Sequence, residues 1–408
     1  MAEERAYGRD AVLRARVLLL GSGRIGEWQR LEAYRVLATV SPKAYLPKLV
    51  HALTEHGWLV PPGGARLALH AEAARAARRL PAQAPHRVEL LGPAMAAYEQ
   101  TLSRAGRRAE ARALAEELAS HGFSGRLAVV LAEEGRYGEA AELTGREARK
   151  ELPERPFWAL VKWAADLEGA GLRAEAADVL GSLVAETRRK AAQERTSLSL
   201  LVWLLVRSAA LDEAAGEAGR AAAARREALA VLDELAATGE PRNWSNILSC
   251  WVTLLLWSGR ADEPAPAPDA PRPPLGRDVL DWSDDTWRAY QGELPDLAAE
   301  AERLRATGAA GVAGVAGVAG VAPGSGRADL FRRVTLRVTA REERRTYDIE
   351  KPLRPYFDEG VALARALPGD RPRLARALAD RAMFRVALRT FGPARADFAE
   401  AVALLDAR

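Results

Sequence analysis

The sequence predicts an all-α protein, a solenoid of stacked antiparallel helical hairpins. By count, 85 of the 408 residues are alanine, whereas Val, Ile and Thr together are scarce. Alanine has the highest helix propensity, and β-branched residues favour strands. A hydrophobic content of 49% with 28% charged residues is enough for a large core. A short corner motif that recurs along the chain supplies the third observation.

The corner motif consists of Gly, usually Arg, two variable residues, Glu and often Ala. Clear copies occupy residues 106–111, 135–140 and 171–176, and a fourth at Ala210–Ala215 has Ala in place of Gly. Flanking copies begin at Gly23 and Gly259. Gly ends a helix by adopting a left-handed backbone, and the Glu falls in the first turn of the next helix, where the dipole favours negative charge. Each hairpin leaves an apolar face that a neighbouring hairpin must cover, so the units are expected to stack.

Apolar and small residues surround these corners in a consistent order. Before the corner at Gly171 stand Leu160, Trp163, Ala164 and Leu167, and after it Ala176, Leu180 and Leu183. Near the carboxyl end the series is Leu378, Ala382, Phe391, Ala394, Phe398 and Ala401, and around Gly106 it is Met95, Tyr98, Leu102, Ala111, Ala115 and Leu118. This pattern resembles a divergent bacterial member of the tetratricopeptide-like (TPR-like) repeat superfamily. The resemblance covers residues 92–260 and 370–408, and more loosely 8–91; the spacing is irregular and the closing Pro is mostly absent.

Breaks in composition divide the predicted array. The predicted segments are an N-terminal helical array (1–260), a Pro-rich linker (261–276), a short helical segment (277–307), a low-complexity Gly/Ala/Val linker (308–326) and a C-terminal helical module with one repeat unit (327–408). Val334, Leu336 and Val338 alternate as in a strand, but the same stretch also fits a helix face. We favour a helix there, with a hairpin as the alternative.

The resemblance implies a concave groove lined by the first helix of each hairpin. The side chains expected to face it, and therefore to contact a partner, are Gln100, Ser103, Trp158, Glu168, Ser197, Arg207, Asn246, Ser249 and Thr253. Such a mixture of polar groups with an amphipathic Trp suits a peptide or a partner helix. The predicted function is therefore a non-catalytic scaffold or regulatory adaptor that binds protein or peptide.

No motif in the sequence predicts catalysis, a metal or a cofactor. Residues 17–26 read as an apolar run followed by Gly-x-Gly-x-x-Gly, but no acidic residue lies between Glu32 and Glu55, where the dinucleotide fingerprint requires one. The five histidines lack zinc-ligand spacing. The single cysteine, Cys250, sits in an apolar run and is predicted to be buried and inert. A nucleotide-dependent enzyme is therefore the least favoured class.

Charge leaves one alternative function open. Residues 327–354 hold nine basic against five acidic side chains, and residues 66–87 hold five against one. A regulator that contacts nucleic acid through these stretches is the alternative, although the net charge of the whole chain is only +4. No apolar run reaches the length of a membrane span, so a cytoplasmic protein without membrane contact is expected. The sequence does not predict an oligomeric state.

Overall fold

The computed structural model describes residues 7–21, 24–149, 157–193, 196–240, 247–264, 270–310, 325–343, 349–367 and 369–406. Within these ranges every regular element is a helix, which confirms the predicted all-α class. None of the described helices is both long and apolar enough to cross a bilayer. The chain divides into two compact units, the first comprising residues 1–130 with 283–285 and the second residues 131–282 with 286–408.

The first unit is a succession of helices, each packed on the next. Its helices are α1 (Arg9–Leu20), α2 (Glu27–Val40), α3 (Pro42–Leu59), α4 (Gly64–Arg78), α5 (Arg87–Arg104) and α6 (Arg108–Ser120). Leu31, Leu53 and Met95 are completely buried in its core. Helix α7 (Gly125–Glu133) carries the chain across the boundary between the units.

The remaining helices belong to the second unit, except that the first two residues of α14 (Asp284–Gly292) are part of the first unit. They are α8 (Tyr137–Arg149), α9 (Phe157–Gly169), α10 (Arg173–Ala192), α11 (Leu198–Ala214), α12 (Ala218–Thr238), α13 (Ile247–Ser258), α14 (Asp284–Gly292), α15 (Leu294–Ala310), α16 (Ser325–Glu343), α17 (Glu350–Arg365), α18 (Arg371–Ala387) and α19 (Phe391–Asp406). Short 3-10 turns occupy Arg260–Asp262 and Val279–Asp281.

Helices from the end of the chain complete the core of the second unit. Helix α19 packs on α12, α18 packs on α11 and α13, and α16 packs on α13. One apolar cluster therefore runs from α8 to α19, with Trp203, Trp251 and Trp257 almost fully buried in it. Three residues of the series near the carboxyl end, Ala394, Phe398 and Ala401, are all buried.

Left-handed glycines form three of the predicted corners. Gly259, with φ of −82°, is not left-handed, and Gly23 lies outside the described residues. Gly106, Gly135 and Gly171 have φ of 72°, 76° and 83°. At each, the next residue donates its backbone N–H to a carbonyl five residues earlier, as Leu172 does to Leu167 at 2.9 Å. This is the Schellman arrangement that satisfies the last carbonyls of a helix.

The fourth corner lies six residues later than predicted. Ala210 is inside α11, and the left-handed residue is Gly216 with φ of 86°, followed by Glu217 donating to the Asp212 carbonyl at 2.8 Å. The left-handed backbone selects glycine over the alanine that the motif alignment indicated. The sequence that forms this corner is therefore Gly216-Glu217-Ala218-Gly219-Arg220-Ala221.

Residues 325–343 form helix α16, which settles the choice between helix and hairpin for that stretch in favour of the helix. Val334, Leu336 and Val338 are buried, but so are Thr335 and Arg337. Alternating hydrophobicity usually marks a strand because only one of its faces is buried. Here both sets of residues are buried, because neighbouring helices cover α16 on several sides and the polar positions are hydrogen-bonded.

Cys250 is fully buried in α13, as predicted. Burial raises the pKa of its thiol, and the carboxylates of Asp278 and Glu343 add to that effect. A thiol in this setting stays protonated and is a poor nucleophile.

Candidate functional site

A cavity of about 450 Å³ opens within the second unit between α11, α12, α13, α16, α18 and α19. This volume falls within the roughly 300–1,000 Å³ that is typical of ligand pockets. Its larger apolar side chains come from four helices: Trp203, Val206, Trp251, Leu254, Leu255, Met383, Phe398 and Leu405. The cavity is thus a product of the whole unit rather than of one hairpin.

Alanines create the space. Six of the lining residues carry only a methyl group: Ala209, Ala210, Ala214, Ala375, Ala379 and Ala401. The pairs Ala210 and Ala214, and Ala375 and Ala379, are spaced by four residues, so each pair presents adjacent methyls on one helix face. Interiors are normally filled to crystal-like density, and larger residues at these positions would occupy the volume.

Two phenyl rings pack against Trp251, which lines the cavity. The Trp251 ring lies 5.8 Å from the Phe384 ring and 6.1 Å from the Phe357 ring, and these two phenyl rings stack at 4.5 Å. The Nε1 of Trp203 donates to the Met383 carbonyl at 3.2 Å, which ties α11 to α18. These two tryptophans of the lining are therefore held in a fixed position by the surrounding packing.

An ion-pair network holds α16 and α18 at one end of the cavity. Arg332 binds Asp380 through Nε at 2.7 Å, binds Asp262, and donates to Ser258 at 2.7 Å. Burial opposes the charge of Arg332, but Asp380 and Asp262 more than compensate, so its pKa is raised. Arg376 also pairs with Asp262, at 2.9 Å. These groups therefore hold the helices that frame the cavity.

Glu168 and Arg207 form a second buried ion pair. Arg207 donates to both Glu168 oxygens at 2.8 Å and lies 4.1 Å over the Trp257 ring, whose Nε1 also donates to Glu168. Burial lowers the pKa of Arg207, and Glu168 offsets part of that effect. Arg260 stands 3.4 Å from the same carboxylate. Glu168, Arg207 and Trp257 together link α9, α11 and α13.

Of the predicted groove residues, only Arg207 lines this cavity, and Glu168 reaches it through the ion pair. Ser249 is half-buried on α13, and Thr253 on the same helix is completely buried. Trp158 packs edge-on against Phe157 at 5.3 Å.

The other predicted groove residues lie elsewhere. Ser197 is buried and donates to Glu240 at 2.7 Å. Gln100 and Ser103 belong to the first unit, where Ser103 donates to the buried Glu99 at 3.2 Å. Asn246 lies outside the described residues. The structure therefore joins Glu168 and Arg207 in an ion pair.

Arginines of the basic stretches contact carboxylates of the chain itself. In α16, Arg337 binds both oxygens of Glu263 at 2.8 and 2.9 Å, and its side chain is only 2% exposed. In α4, Arg78 binds Glu117 at 2.5 Å. These guanidinium groups serve as internal links.

The glycine-rich segment near the amino terminus follows a helix. Residues 9–20 form α1, whereas the dinucleotide fingerprint requires a strand before its first glycine. Gly26 has an extended backbone and precedes α2. The described glycines Gly21 and Gly26 therefore lie between two helices.

The cavity is not evident in the sequence because its lining residues come from distant parts of the chain. The alanines spaced by four residues in α11 and α18 were the available signal, but such spacing is common in an Ala-rich helical chain. The chain matches no family model and no curated protein. The packing of consecutive helices is consistent with a helical repeat fold.

Proposed function

We propose that the protein is a non-catalytic adaptor of TPR-like architecture that binds an apolar segment of a protein or peptide partner in the cavity of the second unit. The observation that carries the proposal is a space of about 450 Å³ in the second unit whose lining is mainly apolar. Empty apolar volume lowers stability because the lining atoms lose contacts. A ligand that fills the space would restore those contacts.

The lining supports binding rather than chemistry. Its charged members are all engaged in ion pairs within the second unit: Arg207, Arg225, Arg332, Arg376, Glu213 and Asp380. Apart from Ser258, the rest of the wall is aromatic, aliphatic or alanine. Amphipathic segments commonly bind such grooves by inserting apolar side chains. Helical corners repeated along both units agree with a scaffold of stacked hairpins.

The experiment is a selection of short random peptides on the immobilised full chain, followed by affinity measurements on the enriched peptides. The test variants are Ala210→Leu at the exposed edge of the cavity and Ala379→Leu deeper inside it. We expect each to weaken binding by about tenfold or more, because leucine would occupy ligand volume. Ala403→Leu, an exposed α19 position outside the lining, is the matched control and should bind as wild type.

Enrichment that does not exceed the bare support would reject the proposal. Peptides that bind the cavity-filling variants and the wild type equally well would also place the binding surface elsewhere.

A further inference from the structure

One face of α1 packs inside the first unit. Ala15 is buried in a small apolar cluster with residues of α2, and Val12, Leu18 and Leu19 pack against that cluster. Intervals of three and four residues separate these positions, so they form a continuous face of the helix. This face of α1 is therefore occupied by the protein's own core.

The opposite face of α1 is also apolar, but it is exposed to solvent. Leu13, Val17 and Leu20 are 58%, 69% and 85% exposed. Spacings of four and three residues place them in one row along the helix, and we call this row the outer seam. In the described chain α1 packs mainly on α2, which lies on its other side. Helices that are apolar all round are normally buried, so the outer seam has the character of a docking surface.

Arginines flank the outer seam. A heptad with Val17 at position a has both leucines of the seam at position d. Arg9 and Arg16 then fall at position g, and Arg14 falls at position e. Residues at e and g select the partner of a helix through their charge. Asp10, the one acidic residue of α1, lies in its first turn, so both edges of the seam beyond that turn are positive.

These arginines are available to a partner. All three are exposed, and neither Arg9 nor Arg16 has a carboxylate within ion-pair distance in the described part of the chain. Arg14 donates from Nε to the backbone carbonyl of Asp10 at 3.3 Å. By contrast, Arg78 in α4 of the same unit is paired with Glu117. The edges of the seam therefore keep an uncompensated positive charge.

The charge and width of the seam decide what covers it. A second copy of the chain would bring arginine against arginine, because parallel helices pair g with e and antiparallel helices pair g with g and e with e. Juxtaposed like charges oppose association. A lipid surface binds helices with a broad apolar face, whereas the exposed apolar row of α1 is one residue wide. A narrow row of this kind fits the row of another helix.

We infer that the outer seam of α1 binds an amphipathic helix of a protein partner whose e and g positions are acidic. Leu13, Val17 and Leu20 interdigitate with the apolar row of that helix, and the arginines at the edges pair with its carboxylates. Because the seam is short, a dissociation constant of about 10–100 μM is expected. The surface belongs to the first unit, so the inference does not depend on the cavity.

The test uses two synthetic peptides with the same apolar row and opposite charges at its edges. One repeats Glu-Ile-Ala-Ala-Leu-Glu-Lys three times, and the other repeats Lys-Ile-Ala-Ala-Leu-Lys-Glu three times. Binding of the labelled peptides to the full chain is measured by fluorescence anisotropy. We expect the acidic peptide to bind at least about tenfold more tightly than the basic one, and its affinity to fall as the salt concentration rises.

Variants of α1 locate the binding surface. Val17→Ser should weaken binding of the acidic peptide by about tenfold, because the valine is buried in the complex. Val88→Ser, at another exposed valine of the first unit, is the matched control and should bind as wild type. Joint replacement of Arg9, Arg14 and Arg16 by glutamate should make the protein prefer the basic peptide, a reversal that loss of folding would not produce.

Four outcomes would overturn the inference. Failure of both peptides to bind, or equal affinity for the two, would remove the acidic helix as the occupant. Binding that Val17→Ser leaves unchanged would place it on another surface. Self-association of the chain in sedimentation velocity that Val17→Ser abolishes would make a second copy the occupant. Binding to phosphatidylglycerol vesicles without binding to the acidic peptide would assign the seam to a lipid surface.

Discussion

Glu168, which the sequence predicted to contact a partner, instead forms an ion pair within the protein. It accepts hydrogen bonds from Arg207 and Trp257, and its side chain is only 16% exposed. Removal of one member of such a buried pair costs about 3–5 kcal/mol. Charge reversal at Glu168 or Arg207 alone would therefore affect folding first. A loss of partner binding in such a variant would not identify a contact surface.

His70 links the stability of the first unit to pH. The residue is completely buried, and its Nδ1 lies 2.6 Å from Thr101 Oγ1. Burial lowers its pKa. Because the folded protein then holds a neutral imidazole, the unfolded chain takes up the additional proton below about pH 6.5. Stability contributed by the neutral form is complete above that pH and falls as pH decreases toward the lowered pKa.

We expect His70→Asn to flatten the dependence of unfolding free energy on pH between roughly 7.5 and 5.5, by up to about 1.4 kcal/mol per pH unit. Asparagine keeps a donor toward Thr101 but does not titrate. The measurement is urea unfolding at a series of pH values. His51→Asn, at an exposed position of α3, is the control. Parallel curves for wild type and His70→Asn would show that His70 is not the source of the dependence.

At the scale of elements, the positions of the hairpin corners could be predicted from the sequence more accurately than the residues that line a binding surface. The corner depends on one local requirement, a left-handed residue after the last helical turn, and glycine meets it with little cost. Gly106, Gly135 and Gly171 satisfied it where predicted. Arg389, with φ of 58°, ends α18 in the same way without glycine, so the last corner carried no such signal.

Two glycine-to-alanine substitutions should have opposite effects. Gly216→Ala should destabilise the protein by about 1 kcal/mol, because φ of 86° is unfavourable for alanine. Gly181→Ala should stabilise it by about 0.5–1 kcal/mol, because this position is inside α10 and a new methyl would meet only Arg220 at 3.7 Å. Chemical denaturation measures both. The same sign for both variants would contradict the assigned corner.

At the scale of the whole molecule, the sequence predicted the fold class but not which helices share a core. Composition and local motifs give information about residues that are close together in the sequence. The packing of α18 and α19 on α11, α12 and α13 joins residues more than 100 positions apart. The predicted groove relied on equivalent positions in successive hairpins, whereas the cavity depends on these distant contacts.

Because the helices of the second unit share one core, a destabilising substitution in α18 should also destabilise other helices of that unit. Phe384→Ala removes a buried ring stacked on Phe357 and close to Trp251 and should cost about 3–5 kcal/mol. Hydrogen exchange should then accelerate in α11 and α13 as well as in α18. Leu280→Ala, at a position 68% exposed, should change neither quantity appreciably. Acceleration confined to α18 would show that the terminal helices unfold separately from the rest.

The buried state of Cys250 has a practical consequence for spectroscopy. Because the chain contains one cysteine and that thiol is both enclosed and protonated, maleimide reagents should leave the native protein untouched. A pair of cysteines introduced at exposed sites could carry fluorescent dyes without prior removal of the natural residue. Distances between chosen helices could then be followed in solution while candidate peptides are added.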